Sequence, residues 1–282
     1  MIQITNATKR YGETAALNNI SLEIKKPGIY CLLGRNGAGK TTLLKSCAGH
    51  INLSEGEIYV NGERINTLNM PARLNFMEAQ SNLFNMRIKD LIKYAAMLSD
   101  DFDKGFAEKT AVKFKLDLNK KYKQLSFGMK TMVSTLISLA GNNSIVMLDE
   151  PVLGLDAIMR ERFYLLLQES IEAYPRVIIV STHLIDEIGR VAENIIIIDK
   201  GKILDYFNIS EMDEKGYCIT GMTADVEKAV KGLKVISKKT IGGFTTASIF
   251  DKRVTPPANC TVQSIGLQDY FVALVGGSEY EN

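Results

Sequence analysis

Residues 29–44 read IYCLLGRNGAGKTTLL, and this segment decides the fold. Gly34, Gly39, Lys40 and Thr41 fit the pattern G-x-x-x-x-G-K-[ST], with an apolar, strand-like run before the loop and a helix-like run after it. In such a loop successive N–H groups point at phosphate oxygens, because glycine reaches backbone conformations that are closed to other residues. The helix that begins at the loop adds the positive end of its dipole. The segment therefore predicts nucleotide binding, and the alternative is a glycine-rich turn between a strand and a helix.

The residue types in the loop also predict individual contacts. Lys40 is expected to reach the β and γ phosphates as a point charge, and the Thr41 hydroxyl is expected to coordinate Mg²⁺. The other residues predicted to bind the nucleotide in this loop are Asn36, Gly37, Ala38, Gly39 and Thr42.

Composition excludes several classes of protein. The chain has 282 residues and a net charge of +2, with basic and acidic residues interspersed, so no nucleic-acid partner is expected. The four cysteines lack C-x-x-C spacing, which is typical of reduced thiols in a cytosolic protein and indicates neither a disulfide framework nor a zinc site. The N-terminus has no signal-peptide pattern, and the apolar run 195–198 is too short to span a membrane. We expect another chain to supply any membrane spans.

Polar residues follow two further predicted strands. Asp149 and Glu150 come directly after the apolar run 145–148, and the run RVIIVSTH ends at His183. The carboxyl ends of parallel strands form the ligand edge of an open α/β sheet. Asp149 suits Mg²⁺ binding through water, and Glu150 suits the activation of an attacking water. The alternatives are a solvated acidic turn and a satisfied core histidine.

Residues from about 86 to 140 show apolar spacing of i, i+3, i+4, which predicts a helical subdomain inserted between the loop and the acidic segment. Its third helix is preceded by LSFGM, residues 125–129, which we call the signature segment. Ser126 and Gly128 in this segment are typical of a helix N-cap. The same pattern also fits a second phosphate-binding helix terminus, which would meet a nucleotide held by another molecule.

Other parts of the chain give weaker signals. Tyr11 ends a predicted strand, where its ring could either pack or stack on an adenine face. Gln80 lies at the end of an apolar patch and carries little weight alone. Residues after about 208 predict a small α/β unit without a cluster of acids, His or Cys. Regulation, dimerisation and the covering of a sheet edge all stay open as its role.

The loop alone would permit kinases, GTPases and many ATPases, but the ordered set of segments is more specific. GRNGAGKTT, Gln80, LSFGM, IVMLDEP with GLD, and STH together resemble the ATP-binding subunit of ATP-binding-cassette (ABC) transporters over residues 1–205. DEPVLGLDAIMRERFY and the C-terminal extension resemble more narrowly the YtrB-type and bacitracin-export-type bacterial subunits.

The resemblance implies a fold and a division of the chain. The fold class is α/β, a P-loop NTPase core with an antiparallel β edge and an inserted helical subdomain at about 82–140. The nucleotide-binding domain would be residues 1–205, and residues 206–282 would form a small accessory domain.

The resemblance also implies roles for matching residues, with ATP and Mg²⁺ as cofactors. Tyr11 would stack on adenine, and Gln80 would sense Mg²⁺ and couple to the membrane partner. Glu150 would be the general base, and His183 would hold the γ-phosphate and polarise the transition state. The remaining roles concern a second subunit: Ser126 and Gly128 would contact its γ-phosphate, and Asp156 would serve the dimer interface.

Partners and location follow from the same resemblance. Two subunits, as a homodimer or a pseudo-symmetric heterodimer, would close head to tail over two ATP molecules. They would drive a separate transmembrane permease from the cytoplasmic face of the membrane, in an exporter of peptides, antibiotics or lipophilic compounds. One alternative is a soluble ABC ATPase acting on ribosomes or DNA, which usually has a coiled-coil insertion or two cassettes in one chain. Another is an inactive binder, which would be expected to lose Lys40, Asp149 or Glu150.

Two residues depart from the usual signature L-S-G-G-Q, since Phe127 replaces a Gly and Met129 replaces the Gln. Phe cannot adopt a glycine-only backbone conformation without strain, so we expect Phe127 to be helical or the segment to be rearranged. The preceding KKYKQ lacks the acidic-Gly loop of fused multidrug-type exporters, so it does not settle the direction of transport.

Overall fold

The computed structural model describes residues 1–78 and 85–277. The strands in this part of the chain are β1 (Ile2–Tyr11), β2 (Thr14–Ile24), β3 (Gly28–Leu33), β4 (Glu55–Val60), β5 (Glu63–Arg64), β6 (Leu74–Glu78), β7 (Ile145–Asp149), β8 (Val177–Thr182), β9 (Asn194–Asp199), β10 (Lys202–Asn208), β11 (Gly216–Met222), β12 (Val235–Ile241), β13 (Phe244–Phe250) and β14 (Thr261–Ser264). The helices are α1 (Lys40–Cys47), α2 (Ile88–Leu98), α3 (Lys104–Lys113), α4 (Phe127–Ala140), α5 (Ala157–Ala173), α6 (Ile185–Ile188), α7 (Ser210–Lys215), α8 (Thr223–Ala229) and α9 (Leu267–Gly277), with a 3-10 turn at Tyr122–Gln124.

The central sheet has six strands in the order β10-β9-β3-β8-β7-β6. All of its pairings are parallel except that of β10 with β9. Every residue of β3, β7 and β8 is buried, which explains why these strands read as continuous apolar runs rather than alternating ones. Because their pairing is in register, Leu33 lies beside Thr182 and Asp149 lies beside Ser181. The carboxyl ends of the three strands therefore meet at one edge.

A separate antiparallel sheet, β2-β1-β4-β5, covers one side of this core. Its inward side chains, such as Ile4 and Leu22, share a hydrophobic cluster with α1 residues and with Tyr30 and Leu32 of β3. The antiparallel edge expected from the sequence is thus a second layer of structure.

The helical insertion covers the other side of the central sheet. Helices α2, α3 and α4 bury apolar faces in the cluster that holds Ile29, Leu33 and Leu148 of the central sheet. Helix α4 begins at Phe127, so the signature segment enters the first turn of this helix. No helix in residues 1–78 or 85–277 is long and apolar enough to cross a membrane.

The C-terminal part of the chain contains a third sheet, ordered β12-β13-β11-β14. It contacts the core through an aromatic cluster of Phe207, Phe250 and Tyr270, whose ring centroids lie 4.8 to 5.4 Å apart. The Tyr270 hydroxyl donates a hydrogen bond to Asp205 of β10. This region is therefore packed against the central sheet. The sequence patterns had not indicated α7 or β14.

From its sequence alone, the segment LIDEIGRVA (residues 184–192) is expected to be helical throughout, but the structure contains a shorter helix. Helix α6 covers only Ile185–Ile188, and Gly189 is its C-cap. Glycine is a poor helix former, because it loses the most backbone entropy when it is fixed, so the helix ends there.

Arg176, just before β8, is a buried residue that connects the end of α4 to α5. Its guanidinium donates to the carbonyl oxygens of Leu139 (2.8 Å) and Gly141 (2.9 Å) at the end of α4, and to the Ser170 hydroxyl (2.5 Å) of α5. Burial lowers the pKa of Arg176 to about 10, so the group is still charged at neutral pH. It supplies donors to helix-end carbonyls that have no partner within the helix.

We expect Arg176→Met to lower the free energy of unfolding by about 3 kcal/mol, because it removes the guanidinium that donates to the buried Leu139 carbonyl oxygen and Ser170 hydroxyl. Urea unfolding at pH 7 measures the change. Arg73→Met is the control, since Arg73 makes an exposed ion pair with Asp101 (3.0 Å) and should cost under about 1 kcal/mol. Equal losses in the two variants would contradict a stabilising role for Arg176.

Candidate functional site

The predicted phosphate-binding loop occupies residues 34–39, between β3 and α1. Gly39 is the N-cap of α1 with φ 108°, and no side chain caps the first turn of this helix. A Cβ on Gly34 would lie 2.5 Å from the Ile198 carbonyl oxygen, and one on Gly39 would lie 2.5 Å from that of Ala16. Both positions require glycine, and the first-turn N–H groups have no side-chain acceptor. Such a helix start suits an anion.

The loop residues differ in exposure. Asn36 and Gly37 are exposed, Ala38 is buried, and Thr41 and Thr42 are half-buried. Ala38 accepts a hydrogen bond from the Gly201 N–H (3.0 Å), which fixes the loop to the β9–β10 turn.

The Lys40 side chain is buried at the centre of the site. Its ammonium group donates to the carbonyl oxygens of Gly34 (2.7 Å) and Arg35 (3.3 Å), and it lies 3.5 Å from a Glu150 carboxylate oxygen. The cation is thus held inside the curve of the loop, beside the predicted base.

Thr41 and Asp149 meet across the strand ends. The Thr41 hydroxyl donates to one Asp149 oxygen (2.7 Å), and the Ser181 hydroxyl donates to the other. These oxygens are the ligand type that Mg²⁺ prefers, so the pair fits the predicted metal. Ser181, on the neighbouring strand β8, orients the Asp149 carboxylate.

Glu150 and His183 form the reactive side of the crevice. Glu150 has φ 49°, which is unusual for a residue other than glycine, and its N–H donates to both the carbonyl oxygen and the hydroxyl of Ser181 (3.1 Å each). Its carboxylate contacts His183 Nδ1 at 3.0 Å, and the His183 side chain is 48% exposed against 19% for Glu150. The acid is therefore held firmly, while the imidazole faces the opening.

The Cys31 thiol lies beneath these charges. Burial, together with the nearby Glu150 carboxylate, raises the pKa of Cys31 well above its usual value. The thiol is neutral, so it is a structural residue beneath the site and not a nucleophile.

Tyr11 lies at the end of β1 and is 53% exposed, with the Lys9 ammonium 5.1 Å from its ring centroid. It pairs with Thr14 of β2, two residues before Ala16, the residue that closes against Gly39. The ring therefore stands at the end of β1, next to the strand β2 that borders the phosphate loop. Stacking of this ring on adenine stays a prediction.

The signature segment lies apart from these groups. Ser126 caps α4 by accepting a hydrogen bond from the Met129 N–H (3.3 Å), and Gly128 is buried against Gly154. Phe127 is the first residue of α4, so it needs no glycine-only conformation, and the helical alternative is the one observed. Among the described residues, no hydrogen bond or ion pair joins Ser126 or Gly128 to Lys40, Thr41 or Asp149 of the same chain.

Gln80 and Asp156 are the two remaining predicted residues. Gln80 lies outside the described residues. Asp156 caps α5 by accepting a hydrogen bond from the Met159 N–H (2.9 Å), at the end of the loop that follows Glu150.

Sequence reasoning missed Ser181 as a residue of the site, although the motif STH contains it. Its two roles depend on β7 lying next to β8 with Asp149 beside Ser181. Strand order is not visible in a single sequence, but a polar residue next to the predicted histidine at the end of an apolar strand is a usable signal.

Comparison with known proteins is consistent with this geometry. Residues 17–153 match the family model described as ABC transporter. The bacitracin transport ATP-binding protein BcrA of Enterococcus faecalis is 30% identical over 98% of this chain and 97% of its own length. This chain belongs to the ATP-binding subunits of ABC transporters.

Two further comparisons agree with that membership. The ABC transporter ATP-binding protein YtrB of Bacillus subtilis (strain 168) is 26% identical over 98% of this chain and 99% of its own length. A solved dimeric bacterial ABC transporter cassette aligns with a TM-score of 0.64 and 27% identity, over 74% of this chain and 99% of that one. The ABC family, the P-loop NTPase fold and the ATPase activity predicted from the sequence are confirmed.

We expect Ser181→Ala to lower the ATPase turnover of this ABC subunit by about tenfold, the lower end of the usual cost of removing a group that orients a metal ligand. Steady-state hydrolysis with Mg-ATP measures the effect. Ser46→Ala is the matched control, because Ser46 is equally buried but bonds only within α1, to the Thr42 carbonyl oxygen (2.9 Å). Unchanged turnover in Ser181→Ala would show that Asp149 is oriented without it.

Proposed function

We propose that this ABC subunit binds ATP with Mg²⁺ in the crevice at the ends of β3, β7 and β8 and hydrolyses it there. One observation carries the proposal. Lys40, Thr41, Asp149, Glu150 and His183 come from separate parts of the chain and are joined by contacts of 2.7 to 3.5 Å.

Each of these residues has a role that suits its surroundings. Lys40 and the first N–H groups of α1 stabilise the negative charge of the phosphates. Thr41 and Asp149 would hold Mg²⁺, and the ion would supply positive charge beside the phosphate oxygens. Tyr11 stacks on the adenine, and Asn36, Gly37, Ala38, Gly39 and Thr42 line the phosphates.

Glu150 is the general base in this proposal. Its carboxylate accepts a proton from the attacking water, and the contact with His183 Nδ1 (3.0 Å) keeps both side chains in place. The opposite edge of the His183 ring then faces the γ-phosphate, where it stabilises charge in the transition state. Neither group has to reorganise far during the reaction.

The site is completed by a second subunit, identical or pseudo-symmetric. Ser126 and Gly128 begin a helix of fourteen residues, and its positive end is directed at the γ-phosphate held by the other subunit. Asp156 lies at the interface between the two. The lack of bonds from this helix start to Lys40 of its own chain supports the arrangement, and the dimeric cassette of known structure offers a parallel.

The complex acts on a membrane permease. We infer an exporter of peptides, antibiotics or lipophilic compounds, since BcrA is a bacitracin transport protein and is similar along nearly its full length. The subunit would sit in the cytoplasm on the inner face of the membrane, held by the permease. Gln80 would couple the site to that partner, and residues 206–282 would form an accessory domain.

We expect Glu150→Gln to lower turnover at least about a hundredfold, because the amide cannot accept the proton from water, while ATP binding persists. With Mg-ATP the variant should accumulate as a dimer in size-exclusion chromatography, and EDTA should prevent this. Glu172→Gln, on the exposed face of α5, is the control for loss of one carboxylate. Wild-type turnover in Glu150→Gln would remove Glu150 from the role of base.

A further inference from the structure

The chain between Glu150 and α5, residues 150–156, forms a loop that we call the acid loop. It consists of two tight turns. The Leu153 N–H donates to the Glu150 carbonyl oxygen (3.2 Å), and the Leu155 N–H donates to the Val152 carbonyl oxygen (3.1 Å). Asp156 then caps α5. A loop this short and this hydrogen-bonded moves as one piece, so a shift at its middle changes the position of Glu150.

The first turn of α4 is packed directly on the middle of the acid loop. A Cβ on Gly128 would lie 2.6 Å from the Gly154 carbonyl oxygen and 3.1 Å from a Leu155 methyl group. Gly154 has φ +78°, and a Cβ there would overlap the Phe127 ring. The ring thus fills the space that any other residue at position 154 would need.

Phe127 is not an ordinary core residue. Its side chain is 41% exposed, and its covered side faces Gly154. The two residues fit one another, since a bulky ring at 127 requires glycine at 154. The Phe127 ring of the signature segment therefore connects the first turn of α4 to the acid loop.

The C-terminal end of the acid loop is held by Arg160. Its guanidinium donates to the Leu155 carbonyl oxygen (2.9 Å) and to the Glu187 carboxylate (2.8 and 3.0 Å) of α6, the helix that follows His183. The loop is therefore fixed between α4 and α6, with little freedom to absorb a displacement. Close packing transmits displacement from one element to the next.

We propose that Phe127 is a positioning residue for Glu150, acting through Gly154. When the start of α4 binds a nucleotide on the partner subunit, the Phe127 ring transmits the position of α4 to the acid loop and so to Glu150. This inference rests on the proposed function, because it couples the signature segment, which contacts the nucleotide of the partner subunit, to the base that acts on the nucleotide of its own subunit.

The test compares Gly154→Ala, Phe127→Ala and the double variant in the full chain, with steady-state ATPase and thermal unfolding. Gly154→Ala should lower kcat by about tenfold, because a displaced loop misplaces Glu150, while KM changes less than about twofold. Phe127→Ala should lower kcat about threefold by freeing the loop. In the double variant the clash with the ring is gone but the strain of Ala at φ +78° remains, so kcat should rise above that of Gly154→Ala and stay below that of Phe127→Ala.

Two controls separate positioning from stability. Gly232 has φ +82°, with nothing near its Cβ position, so Gly232→Ala carries a similar backbone strain in the C-terminal region. It should lower Tm without changing kcat. Phe127→Leu keeps an apolar side chain over Gly154 and should stay within about twofold of the wild-type kcat.

Equal kcat values for Gly154→Ala and the double variant, or a wild-type kcat in Phe127→Ala, would overturn the proposal. If Gly154→Ala does not fold, the comparison of Phe127→Ala with Phe127→Leu still decides it. Glu150→Gln is assayed alongside, because its loss of turnover shows that the ATPase belongs to this site. Failure of the coupling is then distinct from failure of the proposed function.

Discussion

The parallel pairing of β3, β7 and β8 in a single register is the constraint on which the rest of the structure depends. It ends the three strands at one level, with Leu33 beside Thr182 and Asp149 beside Ser181. The hydrogen bonds from Ser181 to Asp149 and from the Glu150 N–H to Ser181 then fix both acids. A slip of one residue in either pairing would reverse which side chains face the crevice.

The same edge is the reason for proposing that a second subunit completes the site. The phosphate loop, the acids and His183 converge, whereas the start of α4 packs on the middle of the acid loop, where Gly128 contacts Gly154. A charged ligand held by only one subunit would face solvent on its outer side. Closure by a second subunit would exclude water and strengthen every electrostatic contact within the crevice.

Much of this arrangement could be predicted from the sequence, because the motifs carry their own chemistry. Gly34, Gly39 and Lys40 have a fixed spacing, and the apolar runs before Asp149 and His183 identify buried strands by composition. The helical state of Phe127 was one of two alternatives, since steric rules exclude glycine-only conformations but do not choose between those that remain.

The rest depended on contacts between distant parts of the chain. The role of Ser181 needs the order of β7 and β8, and the fit of Phe127 on Gly154 needs two segments that are 27 residues apart to meet. The end of α6 at Gly189 and the short β14 depend on local context that periodicity does not capture. The roles of the individual site residues, Tyr11 and Gln80 among them, stay predictions.

The central claim is that one hydrolytic site takes residues from two subunits, and a mixing experiment tests it most directly. Lys40→Ala removes the phosphate-binding cation, whereas Ser126→Asp keeps the cap of α4 and places a negative charge against the partner's phosphates. Each variant alone should be inactive. A 1:1 mixture should regain up to about a quarter of wild-type turnover, because half of the dimers are mixed and each has one intact site. A mixture no more active than its components would contradict a site shared between two subunits.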